Sequence, residues 1–513
     1  MKNTYVIEKK DILLEDLMNI TRNGYKVKIS EEVYKDVEKA RELVERYVAD
    51  QKVCYGITTG FGKFSDQVIS ENETEALQKN LIMSHSCGVG NPLSIEYVKG
   101  IMMLRIVNLC KGHSGVRKIT LDTLVEMLNK NVTPYIPEKG SLGASGDLAP
   151  LSHMVLVMLG LGKAYYKNEL LSGKEAMEKA GIKILDSLSS KEGLALINGT
   201  QVMTSIGAHV TYDALNLMKH LDLAGALSIE ALNGIICAFD KKVHKVRPHA
   251  GQITTAENIR KILKGSKCIT KQGELRTQDP YSLRCIPQIH GASKDAFNFI
   301  KTKVEIEMNA VTDNPIIFVD EDEVISGGNF HGQPMALPFD FLGIALSEMA
   351  NISERRIERL VNPQLNNGLP AFLVEKGGVN SGFMIVQYSA ASLVSENKVL
   401  AHPASVDSIP SSANQEDHVS MGTIAARKAG EILGNARKVI AMEILCACQA
   451  IDLKKSKDSL GLMTQEAYKI IRENVKYYDE DRVMYPDIDT VEDVIKKNLI
   501  IESLEKENHH IKN

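Results

Sequence analysis

The stretch LNLMKHLDLAGALSIEALNGIICA, residues 215–238, is apolar on nearly every face of a helix, which predicts burial on all sides. A second stretch of this kind, ILGNARKVIAMEILCACQAI, covers residues 432–451. Such helices are typical of the inside of a helical bundle or of a subunit interface. Apolar residues recur at helical spacing over four long segments, with few alternating β-branched runs between them: residues 209–238, 342–360, 380–400 and 425–452. The sequence therefore predicts a mainly α-helical protein built on long packed helices, with an unstructured polar tail at residues 506–513.

A shorter helix is predicted near the start of the chain, at residues 31–49. Ser30 precedes the segment as a potential cap, and Glu31 and Glu32 occupy its first turn. Apolar residues follow at steps of three and four, which indicates an amphipathic helix. The side chains expected on its buried face are Val33, Val37, Ala40, Leu43 and Tyr47.

The composition indicates a folded protein that acts on a small molecule. Hydrophobic residues make up 44% and charged residues 25% of the 513 residues, as in ordinary globular proteins. The 61 Lys and Arg against 65 Asp and Glu give a net charge of −4, so no bulk positive field favours nucleic acid or an anionic membrane. The most apolar stretches are too short or too interrupted to span a bilayer. We expect neither a nucleic-acid partner nor a membrane partner.

The spacing of cysteine and histidine favours neither disulfides nor a metal site. The eight cysteines are scattered without a Cys-x-x-Cys pair, and the thirteen histidines form no His-Glu-x-x-His motif. We therefore expect free thiols and no metal. The opening MKNTYVIEKKD has no apolar segment before a small-residue cleavage site, which favours a cytoplasmic protein.

The glycine-rich stretch YGITTGFGKF, residues 55–64, fails both nucleotide-binding patterns. A Walker loop needs Gly six residues before Lys63 and Ser or Thr after it, but Ile57 and Phe64 stand there. Ser65 replaces the third Gly of the dinucleotide pattern. We interpret the stretch as a loop that presents Tyr55.

The segment KGSLGASGDLAPL, residues 139–151, carries the most specific signal in the sequence. One interpretation is a tight turn before a helix that Asp147 caps. A sharper one is chemical: attack of the Gly146 nitrogen on the Ala144 carbonyl carbon would close a five-membered ring with loss of water. Gly permits that approach because it lacks a Cβ atom. Loss of the Ser145 hydroxyl as a second water would leave a conjugated methylidene, which is a strong electrophile.

These motifs together resemble the aromatic amino acid ammonia-lyase family. The resemblance extends from about residue 55 to residue 421, and an isolated Ala-Ser-Gly would not carry it. Its motifs occur in the family's order: residues 55–62, 84–85, 140–150, 198–201, 278–285, 327–330 and 412–421. The resemblance implies a long-helix bundle similar to fumarase and aspartase, with an N-terminal domain at residues 1–200 and a bundle domain at residues 201–513. It also implies a homotetramer whose active sites draw on more than one subunit.

The resemblance also implies a prosthetic group and a set of roles. Ala144, Ser145 and Gly146 would condense autocatalytically into 4-methylideneimidazol-5-one, without an external cofactor. Tyr55 would act as general base, although a phenol needs local assistance for this near neutral pH. The other matched residues are Arg284 for the substrate carboxylate, Tyr281, Asn198 and Gln278 as polar groups around the electrophile and substrate, and Phe330 as a wall of the ring pocket.

Two positions predict the substrate. Ser84-His85 is the pair found in histidine-specific members of the family, and Glu416 stands where phenylalanine-specific plant members carry Gln. Both favour an imidazole ring, which needs hydrogen-bonding partners. The resemblance thus implies conversion of L-histidine to trans-urocanate and ammonia, in histidine breakdown.

Other interpretations stay open at this point. A histidine among apolar residues, such as His85, is more often a packed core residue than a functional one. Three alternatives to a histidine-specific enzyme are a tyrosine or phenylalanine ammonia-lyase, an aminomutase, and a noncatalytic helical assembly protein that retains the motif-bearing loops.

Overall fold

Long helices dominate the computed structural model, which describes residues 3–60 and 71–513. The chain divides into two compact units. The first contains Met1–His209, Lys301–Asp340 and Pro403–Arg427, and the second contains Val210–Ile300, Phe341–His402 and Lys428–Asn513. The predicted mainly α-helical class is confirmed.

The first unit combines short helices with small sheets. Its helices are Leu14–Thr21, Glu31–Ala49, Glu71–His85, Ile95–Cys110, Lys118–Lys130, Leu148–Met158, Gly173–Lys179 and Glu192–Ile197. Thr4–Ile7 pairs in parallel with Lys26–Ile29. The antiparallel pairs are Val89–Pro92 with Pro137–Lys139, Lys163–Tyr166 with both Thr133–Pro134 and Glu169–Ser172, and Ile316–Phe318 with Glu323–Ile325.

The helix predicted at residues 31–49 is confirmed as Glu31–Ala49. The Ser30 hydroxyl accepts a hydrogen bond from the Val33 backbone N–H at 3.4 Å, which satisfies one of the unpaired donors of the first turn. All five side chains expected on the apolar face are buried. Local capping and helical spacing therefore determine this element together.

Four long helices each have residues in both units: Gln201–Ala231, Ile286–Met308, Gln333–Val361 and Gly422–Leu453. The other α-helices of the second unit are Lys241–Lys245, Ala250–Ile262, Tyr281–Arg284, Met384–Leu400, Leu462–Asn474, Tyr485–Lys496 and Leu499–Lys506. Short 3₁₀ helices occur at Ile236–Phe239, Ala371–Leu373, Ser412–Asn414 and Lys457–Ser459.

The second unit joins its long helices through buried charges as well as apolar contacts. The Arg356 guanidinium donates to both carboxylate oxygens of Glu443, at 2.5 and 2.9 Å, and both residues are fully buried. The hydroxyls of Ser228 and Ser353 donate to the same carboxylate at 2.7 Å. A charge can be buried when an opposite charge and hydrogen bonds compensate its lost hydration, and Glu443 meets that condition.

The predicted helix at residues 209–238 differs from the structure at both ends. The helix begins earlier, at Gln201, and ends at Ala231. Asn233 takes a positive φ of 49°, and the Gly234 N–H bonds back to the Ile229 carbonyl at 2.7 Å. This local arrangement ends a helix even where apolar residues continue, so the prediction of a helix up to residue 238 was wrong.

The two units differ from the division predicted at residue 200. The first unit extends to His209 and also contains two later segments of the chain. One of these segments holds the hairpin Ile316–Phe318 with Glu323–Ile325, and the other holds the loop with Glu416. Helical periodicity predicts where helices lie along the sequence. It does not predict that later segments of the chain pack into the same unit as the N-terminal residues.

One helix among the described residues, Gln333–Val361, is long and apolar enough to cross a membrane by length and composition. However, 67% of its most apolar window is buried inside the protein. A buried core helix meets the same criterion, so length and composition do not make this helix a membrane span.

The last residues of the chain are docked, although the sequence indicated an unstructured polar tail at residues 506–513. Ile511 is 4% exposed. The Lys512 carbonyl accepts hydrogen bonds from Asn258 Nδ2 at 2.7 Å and from Lys294 Nζ at 3.1 Å. Polar composition therefore led to a wrong prediction here, because main-chain groups rather than apolar side chains make the principal contacts.

Candidate active site

The loop at residues 140–147 is fixed against the turn that contains Gly199. Gly146 has a φ of 71° and forms an isolated bridge with Gly199. The Asp147 N–H donates to the Gly199 carbonyl at 2.7 Å. A Cβ atom on Gly146 would lie 2.2 Å from the same carbonyl oxygen. Positive φ and this close approach both require glycine at residue 146.

Asp147 connects the loop to two helix starts. Its fully buried carboxylate accepts hydrogen bonds from the N–H groups of Val202 and Met203 at 3.0 and 2.9 Å. The hydroxyls of Ser141 and Thr423 also donate to it. Desolvation raises the pKa of Asp147 against the lowering effect of these bonds. Asp147 does precede the helix Leu148–Met158, as expected, but its carboxylate caps Gln201–Ala231 instead.

Ser145 and Glu416 are in direct contact. The Ser145 hydroxyl donates to Glu416 Oε1 at 2.9 Å, and the Ser411 hydroxyl donates to Oε2 at 3.0 Å. Two backbone hydrogen bonds between Ser411 and Glu416 close the loop that bears this carboxylate. The structure thus brings together two residues that are 271 positions apart in the chain.

A cavity of about 380 Å³ lies on one side of Ser145. Ser84 and His85 line it at the end of the helix Glu71–His85, together with Glu416. The rest of its described lining is Cys87, Gly140, Ser141, Leu142, Ala144, Gly146, Leu148 and Ala149. Partial burial lowers the pKa of His85, against the raising effects of a hydrogen bond to the Leu81 backbone and of the Glu416 charge. A neutral imidazole therefore faces this mainly apolar cavity.

A second cavity, of about 560 Å³, is also bordered by Ala144, Ser145 and Glu416. Tyr55, Asn198 and Phe330 line it, as the resemblance implies. Its other described lining residues are Asn314, Ser326, Gly327, His331, Gln415, Asp417 and His418. Residues 61–64 of the glycine-rich stretch lie outside the described residues. Ser145 therefore borders one cavity that is mainly apolar and one that is more polar.

A buried arginine supports Asn198. Arg105 Nη1 donates to the carbonyls of Ala195 and Asn198, each at 3.0 Å, and Arg105 Nη2 contacts the Gln201 side chain. Burial lowers the pKa of Arg105 to about 10. Asn198 is 3% exposed, and its Oδ1 atom has no hydrogen-bond partner among the described residues. A buried amide oxygen in this condition is suited to receive a ligand donor.

Three matched residues lie in the second unit. Gln278 is exposed, Tyr281 is 70% exposed, and Arg284 places its guanidinium carbon 4.6 Å from the Tyr281 ring centroid. Asp279 fixes this segment by accepting hydrogen bonds from the Ile235 N–H at 2.5 Å and from Arg276 Nε at 2.6 Å. The first unit alone brings together the other matched residues: Tyr55, His85, Ala144, Ser145, Gly146, Asn198, Phe330 and Glu416.

Several cavity residues were not singled out from the sequence. His331 follows Phe330 directly, and its ring lies 5.6 Å from that of His418, two residues after Glu416. Asn314 lines the same cavity. The two histidines could have been found because they lie close to matched residues in the sequence. Asn314 has no such neighbour, and only the tertiary structure brings it to the cavity.

Known proteins of one family match this chain over nearly its whole length. A family model described as aromatic amino acid lyase matches residues 12–473. "Histidine ammonia-lyase 1" of Fusobacterium nucleatum is 68% identical over 98% of this chain and 97% of its own length. The crystal structure of histidine ammonia-lyase from Trypanosoma cruzi is 40% identical, covers 98% of this chain and 95% of its own, and superposes with a TM-score of 0.91.

A tyrosine aminomutase from Streptomyces globisporus is 36% identical, covers 98% of both chains and superposes with a TM-score of 0.93. Lyases and aminomutases therefore share this fold. The family model matches most of the chain, and the relatives match its full length. The lining of the two cavities is consistent with the same family. The chain belongs to the aromatic amino acid lyase family.

Proposed function

We propose that this protein is an ammonia-lyase that converts L-histidine to trans-urocanate and ammonia, the first step of histidine degradation. The observation that carries the proposal is the cavity that His85, Ser145 and Glu416 line together. A potential electrophile beside two groups suited to an imidazole supports this substrate. Full-length relatives named histidine ammonia-lyase support the same substrate.

The residues at 144–146 fit the prosthetic group 4-methylideneimidazol-5-one. Gly146 lies against Gly199 with no space for a side chain, and Ala144 is 4% exposed. The Ser145 hydroxyl, which must leave as water, already donates to a carboxylate. Once formed, the group supplies an electrophile that assists departure of ammonia from an α-amino acid.

Three side chains of the first unit have proposed roles around Ser145. Tyr55 is the proposed general base for the β-proton, because its phenol shares a cavity with Ser145. Asn198 offers its unpaired amide oxygen to a substrate N–H. Phe330 provides an apolar wall on the same side.

His85 and Glu416 are the proposed ring-recognition groups. An imidazole ring presents both a donor and an acceptor, so a neutral histidine and a carboxylate complement it better than apolar side chains would. A substrate with a phenyl ring instead of an imidazole would leave His85 and Glu416 without hydrogen-bond partners, which is costly in a partly buried site. We therefore expect the protein to prefer histidine over phenylalanine.

Gln278, Tyr281 and Arg284 are the proposed contributions of a neighbouring subunit. The guanidinium of Arg284 is suited to hold the substrate carboxylate by two parallel hydrogen bonds. We propose a homotetramer in which each active site draws on more than one chain. The high exposure of Tyr281 supports this, because a substrate-facing tyrosine gains its surroundings on assembly.

A cytoplasmic location is proposed as well. All eight cysteines are free, and Cys87 and Cys237 are exposed. Exposed free thiols are typical of proteins that act in a reducing compartment.

The substrate is tested by near-ultraviolet absorbance of the purified protein with L-histidine, L-tyrosine and L-phenylalanine in separate reactions. Each elimination creates a different conjugated acrylate. We expect the urocanate band from histidine only. Product from tyrosine or phenylalanine alone would overturn the proposed substrate, and a β-amino acid product would identify an aminomutase.

The electrophile is tested by intact mass. The wild-type chain should be lighter than its sequence by two waters. Ser145→Ala lacks the hydroxyl that leaves as the second water, so it should be lighter than its own sequence by one water at most. It should keep its secondary structure and assembly and lose nearly all activity. Near-normal turnover by this variant would contradict the proposed chemistry.

A further inference from the structure

Ser84 precedes His85 at the C-terminal end of the helix Glu71–His85 and lines the same 380 Å³ cavity. Serine hydroxyls in or next to a helix commonly donate to the carbonyl three or four residues earlier. The Ser84 hydroxyl donates to the Leu81 carbonyl at 3.2 Å. The Ser86 hydroxyl does the same for the Ile82 carbonyl at 2.8 Å.

The Ser84 oxygen also lies 3.1 Å from His85 Nδ1. A serine hydroxyl has one proton, and that proton is committed to the Leu81 carbonyl. The hydrogen bond to His85 therefore requires Nδ1 to carry a proton and Ser84 Oγ to accept it. Burial also lowers the pKa of His85, so the ring is neutral and carries a single N–H.

This assignment fixes the other nitrogen of the ring. When Nδ1 of a neutral imidazole is protonated, Nε2 carries a lone pair and can only accept a hydrogen bond. A ligand that contacts Nε2 must therefore donate a hydrogen bond to it.

We propose that Ser84 is a positioning residue that holds His85 as the Nδ1–H tautomer, so that the cavity selects a substrate ring with an N–H donor. The inference rests on the proposed function and sharpens it. His85 recognises a donor, and an azole ring of similar shape without an N–H is rejected. Without the Ser84 hydroxyl, His85 could present Nε2–H instead, and the preference for a donor would weaken.

The test compares L-histidine with 3-(thiazol-4-yl)-L-alanine, in which sulfur replaces the ring N–H. The KM for histidine and the inhibition constant of the thiazolyl analogue are measured for the wild type, Ser84→Ala and Ser84→Thr. We expect the wild type to prefer histidine by about tenfold or more, because the analogue leaves Nε2 unpaired. Ser84→Ala should raise the KM for histidine about three- to tenfold and reduce the preference at least about threefold, with kcat changed less than KM.

Ser84→Thr keeps the hydroxyl and should restore most of the preference. Ser86→Ala is the matched control, since Ser86 donates to the neighbouring carbonyl but is outside the described cavity lining. It should keep the wild-type KM and preference. A wild-type preference in Ser84→Ala, or an equal loss of preference in Ser84→Thr, would overturn the role of Ser84. Absence of urocanate from the wild type would instead overturn the proposed function.

Discussion

Gly146 shows how one residue limits what the loop at residues 140–147 can be. Its φ of 71° and the 2.2 Å between a hypothetical Cβ atom and the Gly199 oxygen exclude any side chain without movement of the backbone. The opposing atom is part of the main chain, which the neighbouring Asp147 hydrogen bond holds in place. The clash of a Cβ atom with the Gly199 oxygen therefore cannot be relieved by rotation of a side chain.

We predict that Gly146→Ala lowers the free energy of unfolding by more than about 2 kcal/mol and prevents ring formation. Intact mass and thermal unfolding measure the two effects. Gly434→Ala is the control, because a Cβ atom there meets nothing within 4 Å and the residue is within the helix Gly422–Leu453. That variant should be as stable as the wild type or slightly more so. A fully dehydrated Gly146→Ala protein would contradict the prediction.

At the residue scale, the sequence predicted which side chains to consider but not their contacts. Motifs in chain order identified Ser145 and Glu416, and the structure places them 2.9 Å apart. The Arg105 contacts with the turn at Asn198 were missed, because a buried arginine within an apolar helix has no local signature. Pairings of this kind depend on tertiary packing that spacing does not encode.

At the scale of elements, periodicity predicted the long helices better than their ends. The segment predicted at residues 425–452 is the helix Gly422–Leu453, and the segment predicted at residues 380–400 begins at Met384. The helix Ile286–Met308 was missed. Apolar spacing persists where burial persists, whereas helix ends depend on individual caps such as Asp147 and Asn233.

The helix Gln201–Ala231 also carries a buried pH-sensitive group. His220 is fully buried, its Nδ1 lies 3.0 Å from the Asn216 carbonyl, and its Nε2 has no partner among the described residues. Burial lowers the pKa of His220 to about 4. The unfolded chain, with a histidine pKa near 6.5, therefore binds this proton more readily than the folded chain does.

We predict that protonation of His220 destabilises the fold as pH falls from about 6.5 toward 4, with a loss of about 2 kcal/mol by pH 5. Well above pH 6.5 the group has no effect, because the histidine is neutral in both the folded and the unfolded state. His220→Phe should reduce the difference in urea midpoint between pH 7.5 and pH 5. The same difference in the variant as in the wild type would show that other groups cause the acid sensitivity.

The docked last residues form a further element whose contacts can be tested. Ile511 is buried, and the Lys512 carbonyl shares Lys294 and Asn258 with the buried Asp222 carboxylate. We predict that Ile511→Asp lowers the free energy of unfolding by about 2 kcal/mol or more, because it places a charge in an apolar site. Lys512→Ala removes an exposed ion pair with Glu257 and should cost less than about 1 kcal/mol. Equal melting temperatures for both variants would contradict this account.

At the scale of the whole molecule, the matched residues are divided between the two units. Ser145, His85 and Glu416 border one cavity of the first unit, while Tyr281 and Arg284 share a short helix of the second. The role proposed for Tyr281, at a highly exposed position in its own chain, would be typical of an active site completed by another subunit. This arrangement is a proposal that co-expression of variants can test.

Ser145→Ala and Tyr281→Phe should each be nearly inactive alone. When the two chains are co-expressed and mix at random, about a quarter of the sites should combine an unaltered Ser145 with an unaltered Tyr281, if these residues come from different subunits. We therefore predict about a quarter of wild-type activity in the mixed tetramers. Ser145→Ala with Tyr55→Phe is the matched control, because Tyr55 and Ser145 line one cavity of the same unit and no mixed site would be intact. Recovery in neither mixture would place Tyr281 and Ser145 of one chain in the same site.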